Sequence, residues 1–304
     1  MTTDTTFRAA VVRTPAGPGS IELLDLPVRD PGPGQVRVRV AAASVNPVDL
    51  AVAGGFFHGI GLIDQPERTG LGWDFSGTVE AVGDGVDLPV GTRVAGLVGG
   101  LDRDFGTYAE QLVVPVADVG LVPDGLDLVA AATFPLNALT AAQLVDLLGD
   151  GAGRTLLVTG AAGAVGGYVA PMAAARGWRV TGLARATDED FVRGLGVDFT
   201  ASAEPGWDAV ADGAVLQEAG VALVRDGGVF VGVQPSNPPA SERGVDVKVV
   251  GVVPDGRRTT DLLADAAAGR LVTRIAGELP LAEAAEAQRQ VAKGGVRGRW
   301  VLRP

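Results

Sequence analysis

Apolar and polar positions alternate in short runs through the first third of the chain. Phe7 to Arg13, Gln35 to Val40, Gly77 to Val82 and Thr92 to Leu97 combine β-branched residues with a period near two, the pattern of strands with one buried face. Pro31-Gly32-Pro33-Gly34 and Gly83-Asp84-Gly85 lie between such runs and are expected as chain reversals. From about Val122 the pattern changes to helix and strand in alternation, which predicts a parallel sheet covered by helices. Leu128 to Leu148 is alanine-rich and helix-like, with a break expected at Pro135, whose ring and missing amide interrupt a helix. Strands are predicted at Thr155 to Thr159, Arg179 to Ala184, Ala209 to Val210, Gly228 to Val233 and Val247 to Val253. A helix is expected to run to Arg176 even though Pro171 falls inside it. The tail predicts a helix at Asp261 to Ala268, a strand near Leu271 to Ile275, a helix at Leu281 to Ala292 and a last strand at Arg299 to Leu302. The expected organisation is a β-rich domain of residues 1–122 completed by residues 255–304. A doubly wound α/β domain, residues 123–254, is inserted in it.

Composition narrows the function classes. The chain has 304 residues, 47% hydrophobic and 20% charged, and a formal charge of −11. It is long enough for two ordinary cores, and its acidity argues against nucleic acid as a partner, because phosphate backbones are bound by basic faces. The start, Met1 to Phe7, is polar and threonine-rich, unlike a signal peptide. Apolar runs such as Thr155 to Val158 are too short to span a bilayer. There is no cysteine, which removes disulfides, thiolate catalysis and cysteine-ligated zinc. A cytoplasmic address and no membrane partner fit these features.

Thr155 to Thr159 leads directly into Gly160-Ala161-Ala-Gly163-Ala164-Val165-Gly166-Gly167 and then a helix. In that context the glycines permit a tight turn, a close approach of backbone to pyrophosphate, and packing of helix on strand. The spacing is GxxGxxG, so it is the flanking strand and helix that mark a dinucleotide site rather than a packing loop. NAD-selective sites carry an acidic residue about twenty positions on. The second strand here ends Gly182-Leu183-Ala184-Arg185. A guanidinium suits a 2′-phosphate, which favours NADPH; the alternative for Arg185 is an ordinary solvated side chain.

Ser44-Val-Asn46-Pro47-Val-Asp49, Gly72-Trp73-Asp74-Phe75-Ser76-Gly77-Thr-Val79, Gly106-Thr-Tyr108-Ala-Glu110, Leu139-Thr140-Ala141, the glycine turn and Gly298-Arg-Trp-Val-Leu302 follow one another in an order that covers almost the whole chain. In this they resemble the medium-chain dehydrogenase/reductase superfamily, in its zinc-free quinone oxidoreductase (zeta-crystallin-like) branch. The resemblance implies a GroES-like β-rich barrel domain and a doubly wound Rossmann domain with a parallel sheet, enclosing an active site between them, and a homodimer. Zinc-dependent members of that superfamily carry a cysteine near position 44 and Gly-His-Glu where this chain has Gly72-Trp73-Asp74. With no cysteine and one histidine, three or four such ligands cannot be assembled on that pattern. Short-chain dehydrogenases need Tyr-x-x-x-Lys, whereas Tyr108 is followed four positions on by Leu112 and Tyr168 by Met172.

Without a Lewis acid the site matches acceptors that already take hydride: quinones, or alkenes conjugated to a carbonyl. By resemblance Asn46 orients the nicotinamide or the acceptor, although asparagine before proline is also a turn former. Asp49 either positions substrate or caps the following helix. Thr140 is expected near the cofactor, and the backbone of Val231, Gly232 and Val233 is expected to dock the carboxamide. Phe56, Phe57, His58 and Trp73 are candidates for the substrate pocket. The alternative for the aromatics is core packing, and for His58 an exposed place in a flexible loop rather than proton donation. Arg297 and Arg299 are candidates for a second phosphate contact, with surface exposure as the alternative. Between Asp198 and Asp208 few residues remain where family members have a helix, so thin cover is expected on one side of the sheet. An NADPH-dependent quinone reductase, an enoyl or enone reductase, and a non-catalytic NADPH-binding protein are the functions left open.

Overall fold

The period of two along Gln35 to Val40 is realised in a strand, Gln35–Val45, in which Val36, Val38 and Val40 are buried while Arg39 faces solvent. This computed structural model describes residues 5–304; residues 1–4, part of the polar start, lie outside the described residues. The chain divides into two units, one reaching to Leu136 and completed by Val253–Pro304, the other Asn137–Val252. Among the described residues no helix is long and apolar enough to cross a membrane.

In the first unit Gln35–Val45 pairs antiparallel with Asp74–Val82 and with Gln111–Pro115. Phe7, Val36, Val38, Phe75, Val79, Val94 and Leu112 share one core cluster. The last strand, Arg299–Arg303, closes on the same sheet with Val301 opposite Ser44. That pairing is why the C-terminus belongs to the first unit. A strand expected near Leu271 to Ile275 instead runs Ile275–Pro280, parallel to Arg299–Arg303 from Ile275 opposite Arg299 onward. Leu271 is buried but has no strand to pair with, so burial of apolar side chains there does not make a ladder.

Pro135 divides the expected long helix, but the division also moves a boundary. A short helix, Leu128–Ala131, precedes Pro135–Leu148, which has its proline in the first turn where a missing amide costs nothing. Ser76 Oγ donates to the Leu128 carbonyl at 2.6 Å, and Val129 and Ala132 pack with Ala42 and Val301. Residues beyond 122, expected with the inserted domain, therefore stay with the first unit as far as Leu136. The Asp127 carboxylate accepts from the amides of Val129 and Ala130 at 2.9 and 3.3 Å. Asp127→Ala is expected to cost about 1 kcal/mol, read as a lower urea midpoint with an unchanged slope; an unshifted midpoint would show that this cap carries no stability.

The second unit is a six-stranded sheet whose neighbouring strands are all parallel. Its order across the sheet is Asp198–Thr200, Arg179–Leu183, Thr155–Thr159, Trp207–Asp212, Val224–Gly232, Asp246–Val249. The order reverses between Thr155–Thr159 and Trp207–Asp212, the topological switch point of a doubly wound sheet. Leu156, Leu157 and Val158 are fully buried in that central strand. Helix Gly166–Ala175 follows and keeps Pro171 inside, so the Gly167 carbonyl forgoes its usual donor. Only residues 201–206 join Asp198–Thr200 to Trp207–Asp212, with no helix between them.

Candidate functional site

In the second unit the glycine turn sits at the carboxyl end of the central strand. Gly160 has φ +62°, a left-handed conformation that glycine adopts without penalty, and its carbonyl accepts from the Gly163 amide at 2.7 Å. A methyl group on Gly166 would stand 2.4 Å from the Gly160 carbonyl oxygen, so the third glycine is demanded by the turn's own backbone. Gly163 is exposed at the tip. Among the described residues the amides of Ala164, Val165 and Gly166 donate to no backbone carbonyl. They open a ten-residue helix, where unpaired amides and the helix dipole favour an anion. These residues fit a pyrophosphate.

The other expected cofactor residues of this unit are placed as follows. Ala161 is buried and its amide bonds the Leu183 carbonyl at 3.2 Å, tying the turn to the second strand. Arg185 follows that strand, mostly exposed, with Nε on Asp188 Oδ2 at 2.8 Å. Asp188 so orients the guanidinium. Val231 and Gly232 end strand Val224–Gly232, with Val233 just beyond it. Thr140 is buried on helix Pro135–Leu148.

One group here was not foreseen. Asp212, fully buried at the end of its strand, accepts from Thr159 Oγ1 at 2.5 Å and from the Gln217 amide at 2.9 Å. The signal in the sequence was a lone carboxylate closing an apolar run, Ala209-Val-Ala-Asp212, before Gly213.

The first unit gathers a buried polar network. Asn46 precedes helix Pro47–Ala53, and Asp49, in its first turn, accepts from the Asn46 amide at 2.8 Å. Asp49 also accepts from the Gly72 amide at 2.9 Å and the Tyr108 hydroxyl at 3.0 Å. Gln288 Nε2 donates to the Asp49 carbonyl at 3.3 Å. Asn46 Nδ2 donates to Ser44 Oγ at 3.1 Å and to Asp74 at 2.8 Å, and Ser44 Oγ donates to Asp74 at 2.6 Å. The remaining Asp74 oxygen accepts from the Leu136 amide. Asn46 and Asp49 are thus brought together, and both are buried; Asp49 makes the helix-capping bond to the Asn46 amide.

Burial raises Asp49 and Asp74 to about 6, against the opposing pull of these hydrogen bonds. Arg103 also favours the charged form of Asp49, and Arg299 that of Asp74. Burial, then the charge of Asp49 and its hydrogen bond, drives the Tyr108 hydroxyl well above its usual range. Arg299, expected as a phosphate contact, therefore lies in the first unit beside Asp74; Arg297 is exposed.

Of the expected pocket residues, Phe56, Phe57 and His58 share one segment. Phe56 and Phe57 meet edge to face at 5.1 Å, with Phe56 47% exposed and Phe57 packed on the core of Val52 and Ile63. Their segment, expected as a flexible loop, is a helical turn, Phe56–Gly59. His58 is half-buried in it with Nε2 2.9 Å from Thr69 Oγ1. Trp73 is buried under the Arg103 guanidinium at 4.7 Å, and Arg103 is in turn held by the carbonyls of Val98, Gly100 and Gly72. Among the described residues no three His, Asp or Glu side chains stand together as a metal would need.

Two family models match the chain: the alcohol dehydrogenase GroES-like domain over residues 32–124 and the zinc-binding dehydrogenase family over residues 184–302. An alcohol dehydrogenase superfamily protein from Novosphingobium aromaticivorans is 30% identical in a match covering 98% of this chain and 99% of that one, with a TM-score of 0.81. The chain belongs to the medium-chain dehydrogenase/reductase superfamily. A quinone oxidoreductase from Pseudomonas aeruginosa is 36% identical over 171 residues, 55% of this chain and 49% of that protein. The quinone oxidoreductase structure from Coxiella burnetii shares the fold, with a TM-score of 0.85 at 24% identity, covering 98% of this chain and 99% of that one. The chain spans about half the length of such curated relatives. The mainly antiparallel first unit is the GroES-like part and the parallel second unit the Rossmann part of the superfamily's fold.

Proposed function

We propose that this chain is a zinc-independent oxidoreductase that uses NADPH to reduce a quinone or similar conjugated carbonyl compound, as a cytoplasmic homodimer. The observation that carries the reading is the pairing of a glycine turn, whose amides at Ala164, Val165 and Gly166 donate to no backbone carbonyl among the described residues, with an exposed arginine, Arg185, at the end of the next strand. The amides of Ala164, Val165 and Gly166 bind the pyrophosphate, and Arg185, steered by Asp188, meets the 2′-phosphate that a carboxylate would repel. Val231, Gly232, Val233 and Thr140 receive the nicotinamide half. Bound NADPH supplies the hydride, so the chain's task is to bind, orient and exclude water.

In the first unit Asn46 and Asp49 act as positioning residues: their buried hydrogen bonds fix the segment Ser44 to Asp49 in one conformation. The exposed Phe56 ring offers apolar surface to a flat acceptor. Zinc independence rests on the donor set, since Ser44 and Trp73 stand where zinc-dependent relatives carry cysteine and histidine and a hydroxyl or an indole is a poor zinc ligand.

NADPH consumption measured against quinones, enones, enals and enoyl thioesters tests this. Turnover is expected first with quinones; turnover confined to enoyl thioesters would move the assignment to an enoyl reductase, and tight NADPH binding with no acceptor consumed would leave a binding protein. Arg185→Ala is expected to weaken NADPH about tenfold more than NADH. Equal losses in a binding titration would remove the argument for 2′-phosphate recognition.

A further inference from the structure

Two strands flank the switch point of the parallel sheet, and their ends are joined by side chains. Thr159 and Asp212 are register partners on neighbouring parallel strands, and both are fully buried. Thr159 Oγ1 donates to Asp212 Oδ1 at 2.5 Å and accepts from the Ala214 amide at 3.1 Å, while Asp212 Oδ2 accepts from the Gln217 amide at 2.9 Å. One hydroxyl and one carboxylate therefore grip both ends of the segment Gly213 to Gln217.

That segment is held in a conformation its residues disfavour. Val215 has φ +58° and Gln217 φ +56°, and a β-branched residue in that region is a genuine outlier. Such a conformation persists only where surrounding contacts over-determine it. The segment also lies on the glycine turn. A methyl group on Gly160 would be 3.2 Å from the Ala214 side chain, and one on Gly213 would be 3.3 Å from the Gly166 amide nitrogen. Gln217 Nε2 donates to the Asn237 carbonyl beyond the next strand. Val215 and Leu216, 45% and 38% exposed, are left as an apolar tip.

We propose that the Asp212–Thr159 pair is a positioning device for the nicotinamide-ribose half of the bound dinucleotide, acting by holding Val215 and Leu216 as one face of its site. This rests on the dinucleotide reading above. A dinucleotide lies across the switch point with its pyrophosphate at the glycine turn. Arg185 follows a strand on one side of the central strand, and Gly213 to Gln217 follows the strand on the other side. If the 2′-phosphate end goes to Arg185, the nicotinamide end goes to the clamped segment.

The test compares Kd values for NADPH and for 2′,5′-ADP, which carries the adenosine end alone, in the full chain. Asp212→Ala is expected to weaken NADPH about tenfold by loosening a pre-organised segment, with 2′,5′-ADP changed less than about twofold. Val215→Gly suits the left-handed backbone, so this variant is expected to fold at least as stably as the parent and still to lose NADPH affinity selectively. Thr159→Ser keeps the hydroxyl and is expected to bind both ligands like the parent. Equal losses of both ligands, or NADPH affinity unchanged in both Asp212→Ala and Val215→Gly, would overturn the positioning role while leaving the dinucleotide reading intact. A parent protein that binds neither ligand would overturn both.

Discussion

Gly166→Ala is expected to cut NADPH affinity by about a hundredfold or more and to destabilise the fold by about 1–3 kcal/mol. The added carbon would meet the Gly160 carbonyl oxygen at 2.4 Å, the Gly160 carbonyl carbon at 2.8 Å and the Ala161 Cα at 3.1 Å. All three are backbone atoms of the turn, so no side chain can swing aside to relieve the contact. Either the turn opens or the helix retreats from the strand, and each movement displaces the amides of Ala164, Val165 and Gly166. Gly163→Ala is a milder comparison, because its added carbon meets the Gly160 carbonyl oxygen at 2.9 Å and has no second contact closer than 3.9 Å. Fluorescence titration with NADPH and urea unfolding of both variants measure the two effects. Parent-like affinity in Gly166→Ala would show that the pyrophosphate is bound elsewhere.

Asp49→Ala is expected to cost about 3–5 kcal/mol, since it strands the Tyr108 hydroxyl and the amides of Gly72 and Asn46 in the interior. The parent carboxylate also makes stability depend on pH in a definite direction. Its folded pKa of about 6 lies above the unfolded value, and the same holds for Asp74. Below about pH 4 each group is protonated in both states and its contribution is complete. As pH rises from about 4 to about 6 the unfolded chain ionises first, and each group gives up about 3 kcal/mol of unfolding free energy. Asp49→Asn removes one such titration. Its cost relative to the parent is therefore expected to be larger at pH 4 than at pH 7, as read from urea midpoints across that range. A cost that stays constant or grows with pH would show that Asp49 is not held up by burial.

Features that depend on neighbouring residues are legible in the order of the amino acids. The glycine turn with its strand and helix, the proline break at Pro135 and the alternation along Gln35 to Val45 each express backbone sterics or burial within a few positions. Features that depend on distant partners are not. The Asp212 carboxylate meets Thr159 from 53 positions away, and Gln288 reaches Asp49 across 239, and a single sequence carries no sign of either pairing. The strand expected near Leu271 begins later because a strand forms where a partner offers its ladder, here Arg299–Arg303, and not wherever apolar residues cluster. The helix expected from Asp261 begins at Gly256, since Asp255 accepts from the Arg258 amide and extends it backwards.

The two-part architecture, the glycine turn between strand and helix and the lack of cysteine ligands are all legible in the order of residues, because they follow from local periodicity, glycine spacing and composition. It takes the folded chain to bury Asn46 and Asp49 in one network, to set Arg299 by Asp74 and to have Asp212 grip the loop beside the turn. Their roles come from the polar groups that other parts of the chain bring to them: once a carboxylate is removed from water, the donors that reach it dictate both its charge and its work.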